Sequence, residues 1–196
     1  GWSYMGNSIM SLYALYTFAD PQPSPTPTLT PTLTSTPKPT PTRTPVPTPE
    51  PTAITEPAHS LTATSKFGYE AKGKEYSVLQ APKTITLCNY TTPPDTGIIV
   101  QISIYLTGIS KGSNVRAVIF ANEPQAKFPQ GGEPLAQSVD TLNVTSASGE
   151  WYNFTMNYPA SQNTVYWLGY YSDNFNQYVF DADSGHLSVT SQPKDE

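Results

Sequence analysis

Ser11-Leu12-Tyr13-Ala14-Leu15-Tyr16-Thr17-Phe18 stands near the front of a 196-residue chain, directly ahead of a long Pro/Thr-rich run. Read with period two, it places Leu12, Ala14, Tyr16 and Phe18 on one face and Ser11, Tyr13, Leu15 and Thr17 on the other. Read as a helix, Met5, Ile9, Leu12 and Tyr16 form a stripe, with Asn7 or Ser8 as its cap. Tyr, Thr and Phe favour the extended form, so a strand is expected from about Met10 to Phe18. In either form the segment has no core beside it in the sequence and must dock elsewhere.

The Pro/Thr-rich run reads PQPSPTPTLTPTLTSTPKPTPTRTPVPTPEPT over residues 21–52. Proline fixes φ and removes backbone donors, which excludes helix and sheet interior. The natural state of such a run is polyproline II, rising about 3.1 Å per residue, so roughly 40 residues reach roughly 120 Å. Thr alternating with Pro is also the composition of O-glycosylated stalks, with Thr26, Thr28, Thr30, Thr40, Thr42 and Thr48 as acceptors. An unmodified, disordered spacer is the competing reading.

Composition narrows the class. Net charge is −5 and only 13% of residues are charged, which leaves no basic footprint for nucleic acid. Thirteen tyrosines and abundant Thr, Ser and Asn suit a β-rich extracellular surface. Cys88 is the single cysteine, which excludes an intramolecular disulfide and a zinc site on paired cysteines. The chain opens on Gly1 without an initiator Met or signal peptide, as expected of a mature, trimmed or excised segment. The apolar stretch Ile9 to Phe18 is too short to span a bilayer.

Three regions are therefore expected: a strand segment over 1–20, a linker over 21–65 and a globular domain over 66–196. The domain reads as short alternating strands punctuated by turns. Tyr76–Gln80, Thr84–Thr91, Ile98–Leu106, Asn114–Ala121, Ala136–Val144, Trp151–Tyr158, Thr164–Tyr171 and Gln177–Asp181 are the predicted strands. In the clearest, Val100, Ile102, Ile104 and Leu106 are expected inward and Gln101, Ser103 and Tyr105 outward. No amphipathic helix is predicted. The fold class is all-β, a jelly-roll-like sandwich preceded by an extended linker.

Several motifs carry a resemblance: Phe67-Gly68, Thr96-Gly97, Ile102–Leu106, Val115–Phe120, Gly149-Glu150-Trp151-Tyr152-Asn153-Phe154 and Tyr166-Trp167-Leu168-Gly169. Together they resemble a jelly-roll module, similar to carbohydrate-binding modules, of secreted archaeal and bacterial surface proteins. Modules of this kind close with a strand written roughly Ser-(Leu/Ile)-Tyr-Ala-x-Tyr-Thr. Here that strand stands at the front, as Ser11 to Thr17, and the module is circularly permuted. The resemblance implies a donor strand carrying Met10, Leu12, Tyr13, Ala14, Leu15, Tyr16 and Phe18. Three arrangements satisfy it. Separate copies lend the strand to a neighbour's sandwich, or a tandem array carries it covalently into the preceding module, or the linker folds back and the strand closes its own domain. A stiff polyproline rod resists a hairpin, which ranks the last arrangement lowest. The first two give a head-to-tail fibre whose partners are other copies of the same unit.

Three sequons stand at Asn89, Asn143 and Asn153, and strand parity favours Asn143 and Asn153 for exposure. Trp151, Tyr170 and Tyr171 are candidates for stacking on sugar, although core packing is the commoner fate of a large aromatic. Trp2 and Tyr4 are expected to cover the domain that receives the strand. Asp173, Asp181 and Asp183 suit a structural Ca²⁺ by residue type, but solvated turn carboxylates are the simpler reading, so no metal and no cofactor is expected. His59 and His186 lack a nucleophile or orienting partner, and Cys88 lies in an apolar strand, so catalysis is not expected. The expected function is that of a structural unit of an extracellular glycosylated filament. A stalk-borne carbohydrate-binding module is the alternative, with carbohydrate as its partner.

Overall fold

The computed structural model describes residues 2–19, 61–77, 80–108, 112–125, 128–129 and 131–191. These form an all-β, two-sheet antiparallel sandwich, and none of the described residues is helical. One sheet runs in the order β1 (Trp2–Gly6), β14 (Ser188–Ser191), β6 (Thr84–Thr91), β12 (Val165–Ser172), β8 (Ser113–Ala121) and β10 (Leu142–Val144), with β9 (Ala136–Gln137) also on β8. The second runs β2 (Ser8–Met10), β13 (Asn176–Ala182), β7 (Gly97–Gly108), β3 (Leu12–Ala19) and β4 (Leu61–Gly68). On its far side β7 pairs with β11 (Glu150–Ala160), and β13 also takes β5 (Glu75–Tyr76).

The N-terminal segment is extended throughout, so propensity outweighs the helical stripe. It serves both sheets. β1 zips onto β14, opposing Trp2 to Ser191, before the chain turns at Gly6, whose φ of 145° lies where side chains are disfavoured. β2 then joins β13, and β3 enters between β7 and β4. Leu12, Ala14 and Tyr16 are fully buried and Phe18 packs against the same core, as the period-two reading requires. The sandwich therefore comprises residues 2–19 together with a body that begins at Leu61, ahead of the expected boundary at Lys66. The strand Ser188–Ser191 has no counterpart among the predicted ones; it forms because β6 on one side and β1 on the other both pair with it.

The parity of β7 needs one correction. Ile102, Ile104 and Leu106 are buried, but at the other end Ile99 enters the core and Val100 is only half-buried. The register slips there against both neighbours, between Leu15 and Tyr16 of β3 and between Thr155 and Tyr158 of β11. A bulge adds one residue and reverses the faces beyond it. Alternation alone does not reveal where it falls.

The first sheet is covered on both faces. Its inner face holds Cys88, Tyr90, Ala117, Ile119, Tyr166 and Leu168. Its outer face carries a second apolar layer of Leu87, Val118, Phe120, Trp167 and Val189, with Trp2, Phe128 and Leu187 packed on it. Trp2 meets Phe120 edge-on at 5.4 Å, as its covering role requires, whereas Tyr4 is half exposed. Burial of both faces explains why Ala117–Phe120 is a continuous apolar run.

Gly169 marks the tightest point of this sheet. A Cβ there would lie 1.9 Å from the Thr86 carbonyl oxygen across the β12–β6 ladder. Gly169→Ala is expected to cost about 3 kcal/mol or more, read as a lowered urea midpoint with an unchanged slope. A midpoint equal to that of the parent would contradict this packing.

Candidate functional site: a filled strand socket and two outer faces

The socket is the slot between β7 and β4. Ala14 lies opposite Ile102 on one side and Phe67 on the other, so a small side chain sits where two large ones converge. Tyr16 is the anchor. Its ring meets Phe67 edge-on at 5.9 Å. Its hydroxyl donates to the carbonyl oxygens of Ala160, at 3.1 Å, and Asp95. Beneath the ring is Gly97, where a Cβ would come within 2.9 Å of the Tyr16 ring carbons. Main-chain contacts tie down the rest of the segment. Tyr90 donates its hydroxyl to the Met10 carbonyl at 2.7 Å, the Gly73 amide donates to Ser11 Oγ at 2.8 Å, and Ser8 and Ser188 share a hydroxyl hydrogen bond at 2.7 Å.

The segment closes the sandwich of the chain that carries it, the arrangement that rod stiffness ranks lowest. Ala19 is paired with Leu61, so residues 20–60 begin and end at neighbouring points. Closure asks only that two ends meet, and its entropic cost grows slowly with length. The length of the 20–60 connection therefore adds little to the cost of bringing residues 19 and 61 together. The six Thr acceptors expected between Thr26 and Thr48 lie outside the described residues.

Several tyrosines hold this region together as neutral groups. Burial raises the hydroxyls of Tyr16, Tyr90, Tyr170 and Tyr178 above their ordinary value, and burial with the neighbouring Tyr166 pushes Tyr158 up to about 12. The unfolded chain ionises near pH 10 while the folded chain keeps these protons, so the stability they provide is intact below that pH and is lost as pH rises through about 10 to 12. Urea midpoints measured from pH 9 upward should fall from about pH 10. A midpoint flat to about pH 12 would contradict buried neutral tyrosines.

The outer face of the second sheet carries an aromatic cluster. Trp151 is partly exposed there rather than in the core, with Tyr13 at 5.2 Å and tilted 58°, and Tyr105 edge-on at 5.6 Å. Lys66 lies over the Tyr13 ring at 5.0 Å and Lys72 over Tyr105 at 4.9 Å. Ser103 sits beneath, fully buried, and donates its hydroxyl to Asn153 Oδ1 at 2.8 Å. Strand parity places Tyr13 and Tyr105 on this face from sequence alone. Lys72 lies in a connection, where no periodic signal exists to find it.

The first sheet presents a cleft of about 560 Å³ beyond its outer apolar layer, lined by Ile85, Arg116, Val118, Glu133, Tyr171 and Asp173 among others. Arg116 Nε donates to Thr141 Oγ1 at 2.6 Å. Asp173 accepts from the Asn114 amide at 2.7 Å and from its side chain at 2.8 Å. Tyr171 thus lines an open cleft. Tyr170 does not: it points the other way, is fully buried, and donates its hydroxyl to Asn176 at 2.9 Å. Adjacent positions on a strand face opposite sides, so the pair could not share a surface. Arg116 gives no warning in the sequence, because one charge within an apolar run reads as a solvated position.

The sequons separate by geometry. Asn143 and Asn153 are exposed, as parity requires. Asn89 is half-buried and its Oδ1 accepts the Leu187 amide at 2.7 Å. The three aspartates serve separate contacts. Asp173 holds Asn114, Asp181 accepts from the Tyr69 hydroxyl and the Lys74 amide, and Asp183 accepts the Gly185 amide at 2.6 Å. Those hydrogen bonds hold the Asp181 and Asp183 carboxyls below the ordinary range. Among the described residues no group of His, Cys, Asp and Glu is placed to hold a metal ion. Cys88 is buried, and burial raises its thiol.

No protein family, curated protein or solved structure matches the chain. No helix among the described residues is long and apolar enough to cross a membrane.

Proposed function

We propose that this chain is a structural subunit of an extracellular, glycosylated filament, its units linked head to tail when the N-terminal segment of one enters the jelly-roll-like sandwich of the next. The observation that carries the reading is the origin of β3. An interior strand, paired on both edges, comes from the segment 2–19, which residues 20–60 separate in sequence from the rest of the sandwich. A strand closing its own sandwich and the same strand closing a neighbour's make identical contacts. Connectivity alone separates the two, and protein concentration against the tether's effective concentration decides between them. The Pro/Thr composition of residues 21–57, which favours extension, shifts that balance toward exchange.

Refolding from denaturant at rising concentration tests the proposal. Dilute samples should give closed chains of 21.3 kDa, and concentrated ones a ladder of multiples that dissolves to 21.3 kDa on denaturation. A single 21.3 kDa species at every concentration would refute strand exchange.

The cleft beside Tyr171 favours a second reading, a stalk-tethered carbohydrate-binding module of a larger surface protein. Arg116, Asp173 and an aromatic ring converge there, a mixture suited to sugar hydroxyls and a pyranose face. Saturable glycan binding by the closed chain, lost in Tyr171→Ala, would support it.

A further inference from the structure

We propose that Asn153 is an N-glycosylation site whose first sugar lies on the Trp151–Tyr13 aromatic pair, so that the glycan braces the inserted N-terminal strand. The inference rests on the extracellular reading above, but not on exchange between copies.

The placement comes from the register. Trp151-Tyr152-Asn153-Phe154-Thr155 lies on β11. Positions two apart on a strand share a face at about 7 Å, so Trp151 and Asn153 project side by side. Across the ladder Asn153 opposes Ser103, and Ser103 in turn opposes Tyr13 of β3. Ser103 is small and fully buried, and its Oγ accepts from the Gln101 side-chain amide at 2.8 Å, so the floor between Asn153 and the Tyr13 ring is made of short polar groups. Trp151 leans toward β3, its ring centroid 5.2 Å from that of Tyr13.

The chemistry of the acceptor fits as well. Asn153 is exposed, and its Oδ1 is taken by the Ser103 hydroxyl at 2.8 Å. That contact fixes the amide plane and directs Nδ2, the atom that carries sugar, away from Ser103. A pyranose joined there meets two partly exposed aromatic rings at once. Its axial C–H groups suit the electron-rich ring faces, and their contact removes apolar area from water. Asn143, also an exposed sequon, has no such bed. Its Nδ2 is engaged with Asn114 Oδ1 at 3.0 Å.

The consequence reaches the socket. Trp151 belongs to β11 and Tyr13 to β3, with β7 between them. A sugar resting on both rings bridges three strands of one sheet and adds a contact that exists only when β3 is in place.

The test uses the full chain secreted from a host that glycosylates Asn-x-Thr sequons. Glycopeptide mass spectrometry reads occupancy, and trimming to a single sugar isolates the proximal residue. The occupied chain should melt about 2–4 °C above Asn153→Gln, the equivalent of about 1 kcal/mol in a domain of this size. Trp151→Ala and Tyr13→Leu should each remove that gain. Should Trp151→Ala fail to fold, the glycan's shielding of Trp151 from a fluorescence quencher, in a Trp2→Phe background, gives the same answer. An empty Asn153, an occupied Asn153 without a melting gain, or a gain that persists without both rings would overturn the proposal. Oligomer size in the same samples reports on strand exchange separately.

Discussion

A chain lacking residues 2–19 should fail to form the sandwich, and a synthetic peptide of those residues added in trans should restore it. Removal takes away the middle of the β7–β3–β4 ladder and leaves an apolar slot lined by Ile102, Ile104 and Phe67. It also strips β14 of its outer neighbour and uncovers Phe120, on which Trp2 rests. Burial of Met10, Leu12, Ala14 and Tyr16 contributes on the order of 6–10 kcal/mol before ordering costs, comparable with the whole stability of an ordinary domain. The truncated chain should therefore expose apolar surface to a hydrophobic dye and give no cooperative thermal transition. Recovery of that transition with the peptide at micromolar concentration would confirm that the segment acts as a separable part. A truncated chain that melts cooperatively within a few degrees of the parent would refute the interior role of β3.

The second large effect belongs to Tyr16. The side chain is fully buried and its hydroxyl supplies two carbonyl groups with a donor. Tyr16→Ala leaves a ring-sized void beside Phe67 and Gly97 and should cost about 3–5 kcal/mol. Tyr16→Phe keeps the packing and removes only the donor, which should cost about 1–2 kcal/mol. Denaturant midpoints of the pair separate the two contributions. Equal losses in both variants would mean that the hydroxyl, not the ring, secures the segment.

How far these features can be read from the sequence depends on which term decides each. The strand character of Leu12–Phe18 is legible because Tyr13, Tyr16, Thr17 and Phe18 favour extension, a period-two reading puts Leu12, Ala14, Tyr16 and Phe18 on one face, and no breaker interrupts them. The outward faces of Asn143, Asn153, Tyr13 and Tyr105 come from the same alternation. The bulge at Val100 is not legible, because it answers to the register of two neighbouring strands. Nor are β1 and β14, short segments whose pairing is with each other at opposite ends of the chain. Tyr170 and Tyr171 look alike in sequence, and only the covered inner face tells which one is lost to the core. The all-β class is legible from turn spacing. The closure of the socket by its own chain is not, since it turns on a long-range balance between tether entropy and strand burial.

The pairing of Ala19 with Leu61 also sets how a linked array would respond to force. If strands are exchanged as proposed, the tether arriving on a donated strand would leave the bead at residue 19, and the bead's own tether would enter at residue 61. Tension would then act on the open end of the β3–β4 ladder and unzip it rung by rung, rather than shear every rung together. Such a joint would yield at modest load and re-form when slack. The array would behave as a compliant, self-mending string, its strength set by the first few pairs at one pole of each bead.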